Sequence, residues 1–286
     1  MPATWVTLGV DKEGVSARDM QAKAKNSGSA LPDVQSKRDH RKVPLDKVGV
    51  RGIKYPIVVL DREKEFQHTI GDFTLTVNLP HDFKGTHMSR FIEVLAEQDR
   101  EVSVYGIPKI LSALKRKLSA DSAHLEVSFP FFMAKKAPVS GKSSLMEYTG
   151  TFIAEQHGSV DFVMQARVPV TTLCPCSKEI SSRGAHNQRG IVTARIRFKE
   201  HVWLEEMVEA VEDAASCELY PLLKRPDEKF VTEKAYDAPR FVEDVAREIA
   251  LRFDADPRIT WYEIEVENQE SIHAHDAYAF VARQKE

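Results

Sequence analysis

Cysteine is scarce in this sequence. Only Cys174, Cys176 and Cys217 occur among 286 residues. Three thiols cannot all pair, and they are too few to build a disulfide framework in a chain of this length. The sequence therefore excludes the disulfide-rich secreted class. We interpret Cys217, on a predicted helix, as an inert buried thiol, whereas the close spacing of Cys174 and Cys176 indicates metal or redox chemistry.

Long apolar runs and an excess of charge of one sign are also missing. No hydrophobic stretch approaches the roughly 20 residues that a membrane-spanning helix needs, and residues 1–11 lack the basic and apolar regions of a signal peptide. The 40 basic and 43 acidic side chains leave a net charge of -3, so no overall positive field attracts nucleic acid or an anionic membrane. We therefore expect a cytoplasmic protein with neither partner, which holds any anionic ligand in a local cationic cluster.

The remaining composition is typical of a globular chain. Hydrophobic residues make up 42% and charged residues 29%, which excludes wholesale disorder. A length of this size indicates about two domains. We predict an N-terminal arm at residues 1–45 with a short helix near residues 17–25, a first unit at 46–158 and a second unit at 159–286.

Residue periodicity predicts the same order of elements in both units. Phe73, Leu75, Val77 and Leu79 alternate with polar residues, which indicates a half-buried strand. Apolar residues spaced three and four apart indicate helices, the last with Pro239 near its first turn. Strands grouped around paired helices predict an α+β class with antiparallel sheets. The predicted strands are 55–60, 71–79, 125–132, 146–155, 160–170, 190–198, 261–266 and 278–282, and the predicted helices are 89–96, 107–118, 203–223 and 239–253.

Two segments concentrate residues that bind metals or anions. Residues 267–276 place His273 and His275 two apart, so both project to the same side of an extended chain. Cysteine and histidine are suited to zinc, iron or manganese, and cations beside them suit a polyphosphate. Inert cysteines, hydrogen-bonded histidines and solvated charges remain alternatives. The candidates in the other segment, residues 171–190, are Cys174, Cys176, Lys178, Arg183, His186 and Arg189.

Glu270 has a different potential role. A carboxylate presents two acceptors, and these match the adjacent N1–H and N2–H₂ donors of guanine. Its position three residues before His273 would bring a purine close to the metal-binding candidates.

Six stretches of unusual sequence carry a resemblance to a known family. They are residues 169–181, 184–190, 222–229, 270–277, 84–90 and 46–51. In these stretches the chain resembles GTP cyclohydrolase of type IB, the alternative prokaryotic first enzyme of folate biosynthesis. The similarity extends from about residue 33 to the end of the chain.

The resemblance implies a fold, a reaction and an assembly. The fold is the tunnelling fold, with two tandem units that are each an antiparallel sheet with two inserted helices. The implied reaction is the metal-dependent hydrolysis of GTP to 7,8-dihydroneopterin triphosphate and formate, the first step of tetrahydrofolate biosynthesis. The implied assembly is a homotetramer with active sites where units meet. One divalent ion per site, manganese, iron or zinc, would be bound by Cys174, His186, Glu228 and His273.

The resemblance also implies roles for other residues. Glu270 would anchor the guanine edge, and we predict that Lys178, Arg183 and Arg189 bind the triphosphate. Two alternatives stay open: a thiol switch at the two neighbouring cysteines, and a related tunnelling-fold enzyme that acts on another purine or pterin through a thioimide. Catalytic roles would fall on Cys174, Cys176, Glu243 and His275.

Overall fold

The computed structural model describes residues 33–98 and 100–285. The predicted helix near residues 17–25 and most of the predicted arm lie outside these residues. The first strand begins at Leu45. No helix in the described part of the chain is long and apolar enough to cross a membrane.

The strands and helices follow one another in a regular order along these residues. The strands are β1 (Leu45–Asp61), β2 (Glu65–Leu79), β3 (Ala123–Lys136), β4 (Ser143–Gln156), β5 (Val160–Leu173), β6 (Asn187–Phe198), β7 (Cys217–Glu218), β8 (Ile259–Gln269) and β9 (Ala277–Gln284). The helices are α1 (Ser89–Glu97), α2 (Ile107–Leu118), α3 (Pro175–Ile180), α4 (Leu204–Glu212), α5 (Arg225–Asp237) and α6 (Val242–Ala255).

The strands form one continuous antiparallel sheet. Its order is β1-β2-β3-β4-β5-β6-β8-β9, and the short β7 pairs with β5. The predicted α+β class with an antiparallel sheet is therefore confirmed. All eight predicted strand segments lie within strands of this sheet.

One face of the sheet is apolar along its whole width. Alternate residues of successive strands lie opposite one another and are buried, because side chains two apart project to the same face. Helices α1, α2, α4 and α6 cover this face through buried residues such as Leu111, Val208 and Ile249, so both halves of the chain share one hydrophobic core. One row of this core consists of Phe73, Val127, Phe152, Met164, Ile196 and Tyr262.

The opposite face is polar, and its side chains bond across strands. The hydroxyl of Thr151 lies 3.2 Å from that of Ser128, and the Gln165 amide donates to Thr151 over 3.3 Å. The Gln165 oxygen accepts from Arg195 over 2.7 Å, and Arg195 also pairs with Glu263. The alternation seen in the sequence therefore separates a helix-covered core from a hydrogen-bonded polar face.

The prediction of one helix over residues 203–223 is wrong. Helix α4 ends at Glu212, because the chain then turns to place Ser216 and Cys217 against β5. The Ser216 hydroxyl accepts the backbone N–H of Leu173 over 3.0 Å, which a continued helix would prevent.

Helix α5 was not predicted, since its sequence is mainly polar and lacks an apolar stripe. A buried carboxylate defines its start: Asp227 accepts the backbone N–H of Lys224 over 2.8 Å. The same carboxylate accepts the backbone N–H groups of Val139 and Ser140, each over 2.8 Å. Helix α5 is thereby attached to the β3–β4 connection.

The last helix begins three residues later than the predicted start at residue 239. Helix α6 begins at Val242, where Asp244 accepts the backbone N–H of Phe241 over 3.0 Å. Arg240, the residue before Phe241, donates its backbone N–H to the carbonyl of Leu173 over 3.0 Å. This bond holds residue 240 in a loop and brings the start of α6 to the end of β5.

Candidate active site

Two connections emerge from the same end of the sheet. Leu173, the last residue of β5, pairs with Asn187, the first of β6, and Arg189 pairs with Gln269, the last of β8. The β5–β6 connection (residues 174–186) and the β8–β9 connection (residues 270–276) therefore lie side by side. The sheet register thus brings together the two segments that the sequence singled out.

Cys174 begins the β5–β6 connection as the N-terminal cap of α3. Its sulfur accepts the backbone N–H of Ser177 over 3.4 Å, and Pro175 occupies the first helical turn, where no N–H is needed. The Cys174 backbone N–H in turn bonds the carbonyl of His186 over 3.1 Å. The thiol is half-buried, whereas Cys176 on α3 is exposed.

Ser177 connects the two ends of this connection. Its hydroxyl donates to the carbonyl of Cys174 over 3.1 Å and accepts the backbone N–H of His186 over 3.2 Å. Cys174 and His186 are therefore held together although twelve positions separate them in sequence.

His186 is bonded in turn to the second connection through Gln188. Its Nδ1 lies 3.0 Å from Oε1 of Gln188 and 3.2 Å from the hydroxyl of Ser271. The Gln188 amide nitrogen donates to Glu270 over 3.3 Å. Contacts thus join Cys174, His186 and Glu270 in one cluster at the end of the sheet.

The other acidic and imidazole candidates are exposed. His273 and His275 lie in the β8–β9 connection with their rings stacked at a centroid distance of 5.1 Å, so they project together, as the sequence predicts. Glu228 lies in the first turn of α5 and Glu243 in the first turn of α6. The bond between Arg240 and Leu173 brings the start of α6 to the sheet end from which Cys174 emerges.

The three cationic candidates differ in their surroundings. The ammonium of Lys178 bonds the carbonyl of Tyr236 and lies 4.4 Å from the centroid of its ring, so this side chain packs against the end of α5. Arg183 and Arg189 are exposed. A triphosphate role for the three stays a prediction.

The connected donors suit a divalent ion in their chemistry. Thiolate and imidazole are ligands of zinc and iron, and the contacts of His186 Nδ1 leave the other ring nitrogen for a metal. Buried side-chain oxygens of Thr172 and Asn268 have no partner within the described residues, so this sheet end is polar and incompletely satisfied. Within residues 33–98 and 100–285, no three histidine, cysteine, aspartate or glutamate side chains lie close enough together to hold a metal ion.

A charged network lies beside the cluster and holds α5. Burial raises the pKa of Glu218, but hydrogen bonds from Lys234 on α5 and from Tyr220 outweigh burial and lower it to about 2. Burial and the Glu218 charge raise the pKa of Cys217 to about 12. Cys217 therefore stays a protonated thiol, which agrees with its interpretation as inert.

Ser177, Gln188 and Ser271 organise the cluster and were missed in the sequence. A signal for Gln188 was present: it has the same parity as Val192, Ala194 and Ile196, which form the buried row of β6. A polar residue that extends an apolar row is buried and must find partners. Ser177 and Ser271 lie in connections, where no periodicity points to them.

Comparison with known proteins defines the family. The model of the family described as type I GTP cyclohydrolase folE2 matches residues 31–279. The chain belongs to this family, and the assignment made from the sequence is confirmed.

Relatives match along nearly their whole length. A protein named GTP cyclohydrolase FolE2 from Kosmotoga olearia is 54% identical over 255 residues, which cover 89% of this chain and 99% of that protein. One of the same name from Magnetococcus marinus is 56% identical over 252 residues, which cover 88% and 95%.

A solved structure resembles the fold. The uricase from Bacillus fastidious has 8% sequence identity and a TM-score of 0.51, with coverage of 86% of this chain and 94% of that one. A likeness at this identity concerns the fold alone.

Proposed function

We propose that this chain is a GTP cyclohydrolase, which hydrolyses GTP to 7,8-dihydroneopterin triphosphate and formate as the first step of tetrahydrofolate biosynthesis. Its membership of the cyclohydrolase family supports the activity. The observation that carries the proposal is the bonded cluster of Cys174, His186 and Glu270 at the end of the sheet. In it, two residues that we propose as metal ligands, Cys174 and His186, are bonded through their backbones, and Gln188 links His186 to the proposed guanine anchor Glu270.

Glu270 recognises the base in this proposal. Its carboxylate accepts from guanine N1–H and N2–H₂, a pair of adjacent donors that adenine does not offer. Gln188 occupies one of its lone pairs and leaves others for the base.

A divalent ion would be held by Cys174, His186, Glu228 and His273. Both this ligand set and the identity of the metal stay predictions. When bound, such an ion supplies Lewis acidity and a hydrolytic water activated near neutral pH. The half-buried thiol and its helix cap favour a fixed position for Cys174.

Other residues move protons and bind the phosphates. His275 or Cys176 protonates purine N7 as the imidazole ring opens, because an imidazolium and a thiol each carry a proton that can be donated. Glu243 positions water or relays a proton from the first turn of α6. Arg183, Arg189 and Lys178 neutralise the triphosphate.

The assembly we propose is a homotetramer of chains with two tunnelling units each, with sites where units meet. Two observations support it. Four site candidates, Glu228, Glu243, His273 and His275, are exposed in a single chain. The edge strand β9 also exposes the large apolar side chains of Tyr278 and Phe280, which are 58% and 52% accessible.

Incubation of the purified chain with GTP and manganese tests the proposal. We expect release of formate and, after oxidation, a fluorescent pterin, and we expect a chelator to abolish both. Glu270→Gln replaces an acceptor by a donor that faces a guanine donor, so kcat/KM for GTP should fall by roughly 10²-fold or more. A thiol switch would release no formate, and unchanged use of GTP by Glu270→Gln would remove Glu270 as the anchor.

A further inference from the structure

We infer that Gln188 is a positioning residue that couples the purine anchor Glu270 to the metal ligand His186. The inference rests on the function proposed above and adds to it a specific link. The Gln188 amide fixes which ring nitrogen of His186 carries the proton, and it makes guanine binding and metal binding depend on each other.

Gln188 lies where a polar side chain must be fully bonded. It is the second residue of β6, and its side chain is 9% exposed in a row otherwise formed by Gly190, Val192 and Ala194. Leaving a buried amide without partners is costly. Its two ends meet His186 at 3.0 Å and Glu270 at 3.3 Å.

The chemistry of the three groups allows one direction of hydrogen bonding. The carboxylate of Glu270 can only accept, so the NH₂ end of the amide faces it. The amide oxygen then faces His186, and an amide oxygen also can only accept. Nδ1 of His186 must therefore carry the proton, and Nε2 carries the lone pair that a metal requires.

The contact of Ser271 with His186 agrees with this direction of hydrogen bonding. Its hydroxyl lies 3.2 Å from the same Nδ1, and a hydroxyl can accept a share of the Nδ1 proton. If Ser271 donated to an unprotonated Nδ1 instead, the lone pair of that nitrogen would face the amide oxygen of Gln188 at 3.0 Å. The orientation of the Gln188 amide between Glu270 and His186 thus determines the tautomer of His186.

A coupling between two ligands follows. A guanine edge bound to Glu270 holds the carboxylate in place, and this orients the amide and the imidazole for the metal. Because binding free energies are linked, a metal on His186 must strengthen nucleotide binding by the same factor. We expect that factor to be about fivefold or more in the wild-type chain.

The test compares Gln188→Met with Gln67→Met. Gln67 bridges a carboxylate and a neighbouring strand in the first half of the chain, so its loss reproduces the cost of removing a part-buried amide bridge away from the site. Three quantities are measured: the ¹⁵N shifts of the His186 ring without metal or nucleotide, the affinity for Mn²⁺, and the change in that affinity on adding 7-deaza-GTP. This analogue keeps the guanine edge but has carbon in place of N7, so its ring cannot be protonated there and opened.

Gln188→Met should shift His186 toward the Nε2–H tautomer, weaken Mn²⁺ binding about 10- to 100-fold and abolish the coupling, while Gln67→Met changes none of these. Wild-type values of tautomer and coupling in Gln188→Met would overturn the inference. The isosteric Gln188→Glu keeps an acceptor for His186 but repels Glu270, so it should retain the Nδ1–H tautomer and lose the coupling. Equal coupling in this variant and the wild type would also overturn it.

These measurements separate the inference from the proposed function. A wild-type chain that released no formate from GTP would contradict the cyclohydrolase activity. The ¹⁵N shifts require neither turnover nor a bound ligand, and an Nε2–H tautomer in the wild type would contradict the role of Gln188 even in an active enzyme.

Discussion

The two halves of the chain build similar scaffolds and use their connections differently. The first half consists of β1–β4 with α1 and α2, and the second consists of β5–β9 with α3–α6. In each half a pair of long strands precedes the main helices and another pair follows them. The β1–β2 connection has only residues 62–64, whereas the β5–β6 connection has residues 174–186 and contains α3. The site candidates lie in the second half, which has the longer connection.

Gln67 and Gln188 illustrate how the two halves use their connections differently. Gln67 on β2 bonds the carboxylate of Asp61 over 3.1 Å and exchanges bonds with the backbone of Phe132 on β3. Gln188 on β6 bonds His186 and Glu270, which follows β8. Gln67 bridges the end of β1 to β3, whereas Gln188 bridges the β5–β6 connection to the β8–β9 connection. In the first half the bridge fixes a turn, and in the second half it joins functional side chains.

The largest effect should come from the core that both halves share. Phe129 on β3 is 1% exposed and meets Phe152 edge-on at 5.0 Å. Phe129→Ala should cost about 3–5 kcal/mol of unfolding free energy. Because the core is continuous, we expect one transition in urea, followed identically by circular dichroism and tryptophan fluorescence. Two separate transitions would make the halves independent domains.

The next effect should distinguish the two histidines of the β8–β9 connection from each other. His273→Ala removes a proposed metal ligand and should lower formate release at least about 10²-fold with reduced bound metal. His275→Ala should retain the metal and slow turnover only. Lys142→Ala, an exposed change in the β3–β4 connection of the first half, serves as the control. Equal metal content and equal rate in both histidine variants would contradict separate roles for His273 and His275.

A pH effect should be specific to the second half. Hydrogen bonds lower the pKa of Glu218 from an ordinary 4.5 to about 2 despite burial. Because the folded-state pKa is depressed, this stabilisation is complete above pH 4.5 and is lost as the pH falls toward 2. The expected loss is up to about 3 kcal/mol. The unfolding free energy measured in urea should fall less between pH 7 and pH 3 in Glu218→Gln than in the wild type. An equal fall in both would mean that the Glu218 network does not hold α5.

The smallest effect should occur at an exposed ion pair that joins the two halves. Arg62 in the β1–β2 connection pairs with Glu209 on α4, and the two side chains are 36% and 48% exposed. Exposed pairs contribute little, so Arg62→Ala should cost at most about 1 kcal/mol. A much larger loss of the unfolding free energy would mean that this pair, and not the shared core, holds the halves together.

Much of the scaffold could be predicted because period-two alternation is a local signal. The row through Phe73 and Val77 identified β2, and amphipathic spacing identified α1 and α2 with nearly their observed bounds. Helix α5 could not be found in this way. Its position depends on Asp227 bonding the β3–β4 connection, which lies about 90 residues away in sequence.

The site candidates could be found from the sequence only in part. Cysteine and histidine are conspicuous residue types, and the family resemblance added Glu228, which looks like ordinary surface. Gln188 depends on strand register for its partner Glu270, and register is a tertiary property. The unit boundaries, the metal ligands and the cytoplasmic location stay predictions.

The short turn between the halves allows a practical manipulation of the molecule. Residues 157–159 are exposed and join β4 to β5. At about 3.3 Å per residue along β5, this turn lies roughly 45 Å from Cys174. A protease site inserted there would leave two fragments with complementary sheet edges and apolar faces. The fragments should reassociate when mixed, so isotope labels could be confined to one fragment at a time.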